Sequence, residues 1–211
     1  MALVESKGHL VLPLTRFSAW YPASVNLREA LAEVCRQFEV EGLYASPIHP
    51  GAVDRLAEVV DQIVSGYAID GLHLDYIRYP TAAFDYSRGA LRAFRASIER
   101  SLTAADRQRF SATDISGLVG LADARAADWA AFRRSRLNTL AMRLRTVAKG
   151  RRPDLVISAA VYPDPAEAAA NRLQDWRMWL DSQWMDVICP MASYTVVTAP
   201  VLPTVVVLTF P

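Results

Sequence analysis

Short β-branched runs alternate with longer amphipathic segments along this sequence, and that alternation predicts an α/β fold. From residue 52 to about residue 67 the apolar positions recur at helical spacing, and the run 72–77 that follows predicts a strand. The run 155–162 has the nearly continuous apolar character of a parallel strand covered on both faces. The other predicted elements are strands at 9–12, 42–46 and 185–191, helices at 26–38 and 166–181, and a long helical stretch at 86–150.

This order of elements favours a parallel (β/α) barrel of the TIM type. A complete barrel of this type has eight strands and about 250 residues, whereas the chain supplies only about four to six predicted strands. We therefore predict an incomplete barrel that holds the central strands and helices. Its predicted domain is 42–194, with an atypical N-terminal segment at 1–41 and an apolar, uncharged tail at 195–211.

The composition fits a globular domain that can bury a core, since 52% of the residues are apolar and 21% are charged. The chain has 23 basic and 22 acidic side chains, so its net charge of +1 gives no field that would recruit nucleic acid or an anionic membrane. A small or neutral ligand is the expected partner. The arginines of the helical stretch, at 133, 134, 136, 143 and 145, are expected on a solvated outer face.

Several kinds of site find no support in the sequence. Cys35 and Cys189 are too few for a disulfide framework or a thiolate metal site, and the three histidines lack metal-ligand spacing. No glycine-rich phosphate loop and no serine elbow is present. We therefore predict neither a cofactor nor a metal. Neither a secretion signal nor a membrane-spanning segment is visible.

Candidate chemistry lies at the end of the strand 72–77, because parallel barrels carry their reactive groups at the C-terminal ends of strands. The two-residue period of a strand places His73 and Asp75 on one face and Leu72 and Leu74 on the other. Asp75 is a candidate catalytic carboxylate, because burying a charge in an apolar strand is costly unless function requires it. The alternative is a carboxylate that only pairs with Arg78 or caps the loop.

Other polar residues end the same strand or the later ones. His73 is either a site residue or a core histidine satisfied by backbone groups, and Arg78 is expected to orient Asp75. Asp164 is a second candidate carboxylate, although an aspartate between two prolines is also typical of a turn. The remaining candidates for the lining of the site are Tyr76, Tyr162 and Tyr194.

Residues 67–80, YAIDGLHLDYIRYP, resemble the signature segment of the glycosyl hydrolase-like 10 family of bacterial (β/α)-barrel proteins. The resemblance covers roughly 42–194. Further agreement lies at 42–44, 50–53, 129–134, 158–164, 174–176, 186–191 and Tyr194.

This resemblance implies a hydrolase that cleaves glycosidic bonds in a polysaccharide or cell-wall glycan, in a family whose members are often exported. It places Asp75 at the acid/base position, with His73, Arg78, Asp164 and Tyr194 along the cleft. Glycoside hydrolysis usually requires two carboxylates, about 5 Å apart in retaining enzymes and further apart in inverting ones, and Asp75 and Asp164 are the available pair. The incomplete barrel leaves open the alternative that the chain alone is inactive.

Two other functions stay open. A catalytically silent glycan-binding barrel would keep the aromatic residues Tyr76, Tyr79, Tyr162 and Tyr194 and would tolerate Asp75→Asn. A barrel lyase or isomerase that acts on a phosphorylated metabolite is disfavoured, because no phosphate loop is visible. Binding that survives Asp75→Asn would support the former, and activity that depends on a phosphate group would support the latter.

Overall fold

The structure is a computed structural model that describes residues 45–191 and 205–209. The strand predicted at 9–12, the helix predicted at 26–38, most of the strand predicted at 42–46, and Tyr194 lie outside the described residues. In chain order the elements are α1 (Pro50–Gly66), β1 (Gly71–Asp75), α2 (Arg88–Ile98), a 3-10 turn (Glu99–Ser101), α3 (Ala104–Arg109), α4 (Ile115–Ala124), α5 (Ala126–Arg151), β2 (Val156–Val161), α6 (Pro165–Asn171), α7 (Trp176–Asp181), β3 (Val187–Pro190) and β4 (Val205–Thr209).

The described strands form one sheet in the order β3-β2-β1-β4, and every neighbouring pair is parallel. In register, Leu72 of β1 pairs with Ile157 of β2, and Ser158 of β2 pairs with Val187 of β3. Helices connect β1 to β2 and β2 to β3, so the predicted α/β alternation with a parallel sheet is confirmed. β4 lies in the tail, for which no element was predicted, and it pairs with the free edge of β1.

One face of the sheet packs against helices, as the two-residue period requires. Leu72 and Leu74 of β1 and Ile157, Ala159 and Val161 of β2 are all fully buried. They share a core with apolar side chains of α1, α5 and α7, which include Val60, Val64, Leu137, Ala141, Leu144 and Trp179. The helices thus cover one face and leave the other face available for polar side chains.

A second core lies among α2, α4 and the first turns of α5. Its members include Phe94, Leu121, Trp129 and Phe132. The Trp129 ring lies 5.0 Å from Phe94 and 5.8 Å from Phe132, between ring centroids. This unit follows the loop after β1 and holds that loop against α5.

Arg133 was predicted on a solvated outer face, and this is wrong, since only 3% of the residue is exposed. Its Nη1 donates a hydrogen bond of 2.7 Å to the Ala82 carbonyl in the loop after β1. Its guanidinium also lies 4.7 Å from the centre of the Trp129 ring. The loop folds over this turn of α5, which a helical-face pattern cannot reveal. Arg136 and Arg143 are exposed, as predicted.

Two predicted element bounds also differ from the structure. β1 ends at Asp75 rather than at Ile77, because Tyr76 has a φ of 55° and turns the chain out of the strand. The helix predicted at 166–181 is two short helices, α6 and α7. Leu173, with a φ of 54°, lies between them and breaks the helical path.

Candidate active site

The second face of the sheet, here called the open face, carries the polar strand residues. His73 and Asp75 of β1 and Ser158 of β2 project from it and are half-buried, whereas Cys189 of β3 is exposed on it. Val156, at the N-terminal end of β2, is 45% exposed on the same face. The structure therefore brings His73 and Asp75 to one surface, with Asp75 at the C-terminal end of β1.

His73 and Ser158 are paired in the sheet register and joined through their side chains. Nδ1 of His73 and Oγ of Ser158 are hydrogen-bonded at 2.8 Å. Burial lowers the pKa of the His73 imidazole, and the negative charge of Asp75 opposes this effect only in part. The lowered pKa favours the neutral imidazole, in which one ring nitrogen donates a hydrogen bond and the other accepts one. Ser158 was missed, although a hydroxyl in an otherwise apolar strand is a visible signal.

The Asp75 carboxylate lies where the strand ends and the chain turns. Its Oδ1 accepts a hydrogen bond of 2.8 Å from the backbone N–H of Tyr76. The positive φ of Tyr76 is uncommon for a residue with a side chain, and such conformations cluster at functional sites. This turn orients the carboxylate at the C-terminal edge of the sheet, where chemistry in parallel (β/α) folds occurs.

Two arginines and two tyrosines pack together just beyond the ends of β1 and β2, and we call them the mouth cluster: Tyr76, Arg78, Tyr162 and Arg172. The Arg78 guanidinium lies 4.1 Å from the centre of the Tyr76 ring and 5.3 Å from that of Tyr162. Arg172, at the end of α6, lies 4.6 Å from the same Tyr162 ring. The predicted residues Tyr76, Arg78 and Tyr162 are thus neighbours, and Arg172 is an addition that sequence reasoning missed.

Gln174, between α6 and α7, holds the ends of two strands together. It is fully buried, and its Nε2 donates to the carbonyls of Ile77, at 3.2 Å, and Ala160, at 3.1 Å. Its Oε1 accepts a hydrogen bond of 3.0 Å from the Tyr162 N–H. Trp176 donates from Nε1 to the Tyr162 carbonyl at 3.0 Å. The main chain of Tyr162 is therefore fixed on both sides, which a lone glutamine in the sequence does not signal.

Asp164 lies beyond the end of β2 and is exposed. It is the N-cap of α6, where its Oδ1 accepts a hydrogen bond of 2.8 Å from the Glu167 N–H. This arrangement agrees with the turn alternative for Asp164. Its catalytic role stays a prediction.

A buried polar cluster supports the loop after β1. The Asp85 carboxylate is fully buried and accepts hydrogen bonds from the Ser46 hydroxyl and, at 3.2 Å, from the Ser87 N–H. Burial raises the pKa of this carboxyl, and the hydrogen bonds and the nearby Arg133 charge oppose the effect only in part. The cluster joins the segment before α1 to the loop after β1 and to α5. It therefore holds that loop in place.

A surface groove of about 400 Å³ lies between α1 and α5. No residue of the open face or of the mouth cluster lines it. Its charges neutralise one another: Arg143 pairs with Asp54 and Arg151 pairs with Asp61, each at 2.6 Å. Ion pairs of this kind bind helices together and leave no unpaired group for chemistry. The mouth cluster and the open face remain the candidate site.

Residues 45–191 and 205–209 offer neither a metal-binding cluster nor a membrane-spanning helix. No group of three or more His, Cys, Asp or Glu side chains in this part of the chain has an arrangement that could hold a metal ion. None of the helices described is long and apolar enough to cross a membrane. Cys189 is exposed and is not in a disulfide.

The fold and the site define an α/β protein with a parallel sheet and polar groups at the C-terminal ends of its strands. The profile of the family described as glycosyl hydrolase-like 10 matches residues 13–200. The chain belongs to this family, so the predicted membership is confirmed. The match is longer than the stretch 42–194 whose motifs carry the resemblance. Among curated protein sequences, none matches this chain.

A solved structure is also similar, that of the PgaB (BpsB) glycoside hydrolase domain from Bordetella bronchiseptica. The TM-score is 0.54 at 20% sequence identity, and the match covers 90% of this chain. The chain spans 44% of that chain, less than half its length. At this identity the likeness shows the fold alone.

Proposed function

We propose that the open face is part of a glycoside hydrolase site that cleaves a glycosidic bond in a polysaccharide or cell-wall glycan. The observation that carries the proposal is the position of Asp75 at the C-terminal end of β1, with His73 on the same face. Membership of a glycosyl hydrolase-like family supports the same class of reaction. It does not favour a lyase or isomerase that acts on a phosphorylated metabolite.

In this proposal Asp75 is the general acid/base, and water attacks the bond. In its acid form an acid/base carboxyl group protonates the leaving oxygen, and in the carboxylate form that results it takes a proton from the attacking water, when it is held within hydrogen-bond reach. Neutral His73 adds a hydrogen-bond donor or acceptor without adding a charge to the site. Tyr76 and Tyr162 supply the flat surfaces against which sugar rings can pack, and Asp164 would serve as the second carboxylate.

The test is hydrolysis of soluble cell-wall oligosaccharides, followed by the appearance of new reducing ends. Asp75→Asn keeps the oxygen that accepts from the Tyr76 N–H. We therefore expect a folded variant with a rate lower by about 10²–10⁴-fold, the usual contribution of general acid–base catalysis. Asp70→Asn is the matched control, because Asp70 directly precedes β1 at its opposite end. Equal rates for the two variants would contradict the proposal.

Glycan binding without hydrolysis is the second candidate. It is favoured by one observation: the Asp164 carboxylate already accepts the hydrogen bond that caps α6. Asp164→Asn distinguishes the two functions, because asparagine also caps helices well but cannot act as an acid or base. A hydrolase that uses both carboxylates loses activity in Asp164→Asn. A binding protein shows no hydrolysis from the start, and its affinity for the oligosaccharides survives Asp75→Asn.

A further inference from the structure

Two guanidinium groups share one aromatic ring at the mouth cluster. Arg78 and Arg172 come from different loops, yet their Cζ atoms lie 5.3 and 4.6 Å from the centre of the Tyr162 ring. An arginine that stacks on an aromatic face can still form hydrogen bonds through the N–H groups in the plane of its guanidinium. The arrangement concentrates positive charge around the Tyr162 ring, just beyond the end of β2.

The main chain holds this pair of arginines in place. The Tyr79 N–H, three residues beyond Tyr76, donates to the Arg172 carbonyl at 3.0 Å, so the end of α6 is tied to the segment that carries Arg78. Tyr162 is fixed in turn by Gln174 and Trp176. A binding group mounted in this way loses little conformational freedom when a ligand arrives.

The charge of Arg172 is not balanced within residues 45–191. No carboxylate pairs with its guanidinium there, and its buried Nε finds no hydrogen-bond acceptor. The Asp164 carboxylate lies at the opposite end of α6, where it accepts a hydrogen bond from the Glu167 N–H. A partly buried cation without an ion-pair partner is costly, and an anionic ligand removes that cost.

We propose that Arg172, together with Arg78, binds a carboxylate carried by the glycan, so that the substrate class is an acidic glycan with uronic-acid-type sugars. The inference rests on the proposed function, because it names the substrate of the same site. The planar fork of a guanidinium matches the two oxygens of a carboxylate, and such pairs are about twice as strong as neutral hydrogen bonds. Both arginines are half-buried, so part of each side chain remains exposed.

The experiment uses calorimetric binding at low salt with oligomers of glucuronic and galacturonic acid, each as the free acid and as the methyl ester. The ester keeps the sugar and removes the charge. We expect the wild-type chain to prefer the free acid of at least one sugar by about tenfold or more, the effect of a hydrogen bond to a charged group. Arg172→Gln should abolish this preference, and Arg172→Lys should restore only part of it. Arg177→Gln, an exposed arginine of α7, is the control.

Equal affinity for acid and ester, an undiminished preference in Arg172→Gln, or no binding of any oligomer would overturn the inference. Sodium acetate that competes as well as the oligomers would also overturn it, because the site would then bind any free carboxylate. Hydrolysis assays separate this inference from the proposed function. An acid preference in binding with no hydrolysis of any glycan contradicts the hydrolase alone, and hydrolysis of acid and ester at equal rates contradicts the acidic substrate alone.

Discussion

His73 and Asp75 lie two residues apart on the open face, and their charges are coupled. Burial lowers the pKa of His73, while Asp75 raises it. We therefore expect Asp75→Asn to lower the pKa of His73 further, because the neighbouring negative charge is lost. A titration of the imidazole followed by NMR measures this shift, and the wild-type midpoint should lie below the usual value of 6.5.

Asp164→Asn is the control for this titration, since Asp164 is not among the groups that perturb His73. Its spectrum should give the wild-type midpoint. A midpoint that rises or does not move in Asp75→Asn would mean that the two side chains do not face each other.

At this scale the sequence predicts which residues face which way, but not how they are held. Strand alternation places His73 and Asp75 opposite Leu72 and Leu74, and the burial of both leucines agrees. Arg172 contacts Tyr162, and Ser158 contacts His73. Such contacts depend on which elements are neighbours in the fold. One strand's period carries no information about that register.

Gln174 connects the ends of β1 and β2 from the turn between α6 and α7. Gln174→Leu keeps much of the volume but leaves the carbonyls of Ile77 and Ala160 and the N–H of Tyr162 without this partner. Each buried polar group left unsatisfied costs about 1–3 kcal/mol, so we expect a loss of roughly 2–5 kcal/mol in the free energy of unfolding. Urea denaturation measures it.

Gln62→Leu, on the exposed face of α1, is the matched control. An exposed substitution of this kind changes stability by about 0.5 kcal/mol or less. Similar midpoints for the two variants would show that the Gln174 hydrogen bonds contribute nothing to the junction of the strands.

The elements themselves are largely predictable from periodicity, and the exceptions have local causes. α1 and β2 match their apolar patterns because packing against the sheet and the helical period agree there. The break between α6 and α7 falls at Leu173, an apolar residue in left-handed backbone, where no glycine or proline announces a stop. The hydrogen bonds of Gln174 stabilise that break, and they are tertiary contacts.

At the scale of the whole molecule, α5 links the two cores. Its C-terminal half packs on the sheet with Leu137, Ala141 and Leu144, and its first turns carry Trp129 and Phe132 into the second core. The α/β class follows from the order of elements, and the family follows from the segment around Asp75. The burial of Arg133 could not be predicted, because it depends on the path of the loop after β1 across this helix.

The cluster of Ser46, Asp85 and Arg133 makes the stability of the molecule depend on pH in a way that can be assigned to one group. The pKa of buried Asp85 is raised above its usual value of 3.8, so the folded chain binds this proton more tightly than the unfolded chain. Its contribution is complete below 3.8 and is lost as pH rises through the raised value. Asp85→Asn has no such proton. The stability of the wild-type protein relative to this variant should therefore fall with rising pH across that window.

Urea unfolding of both proteins, from pH values below 3.8 to neutrality, measures this difference, and the other titrating groups cancel in it. Ser46→Ala provides the second arm. The Ser46 hydroxyl donates to the carboxylate and lowers its pKa, so its removal should extend the window to higher pH. A wild-type stability that rises relative to Asp85→Asn across the window would show the reverse order of forces. The positive charge of Arg133 would then outweigh burial, and the cluster would be an ion pair that strengthens as the carboxyl ionises.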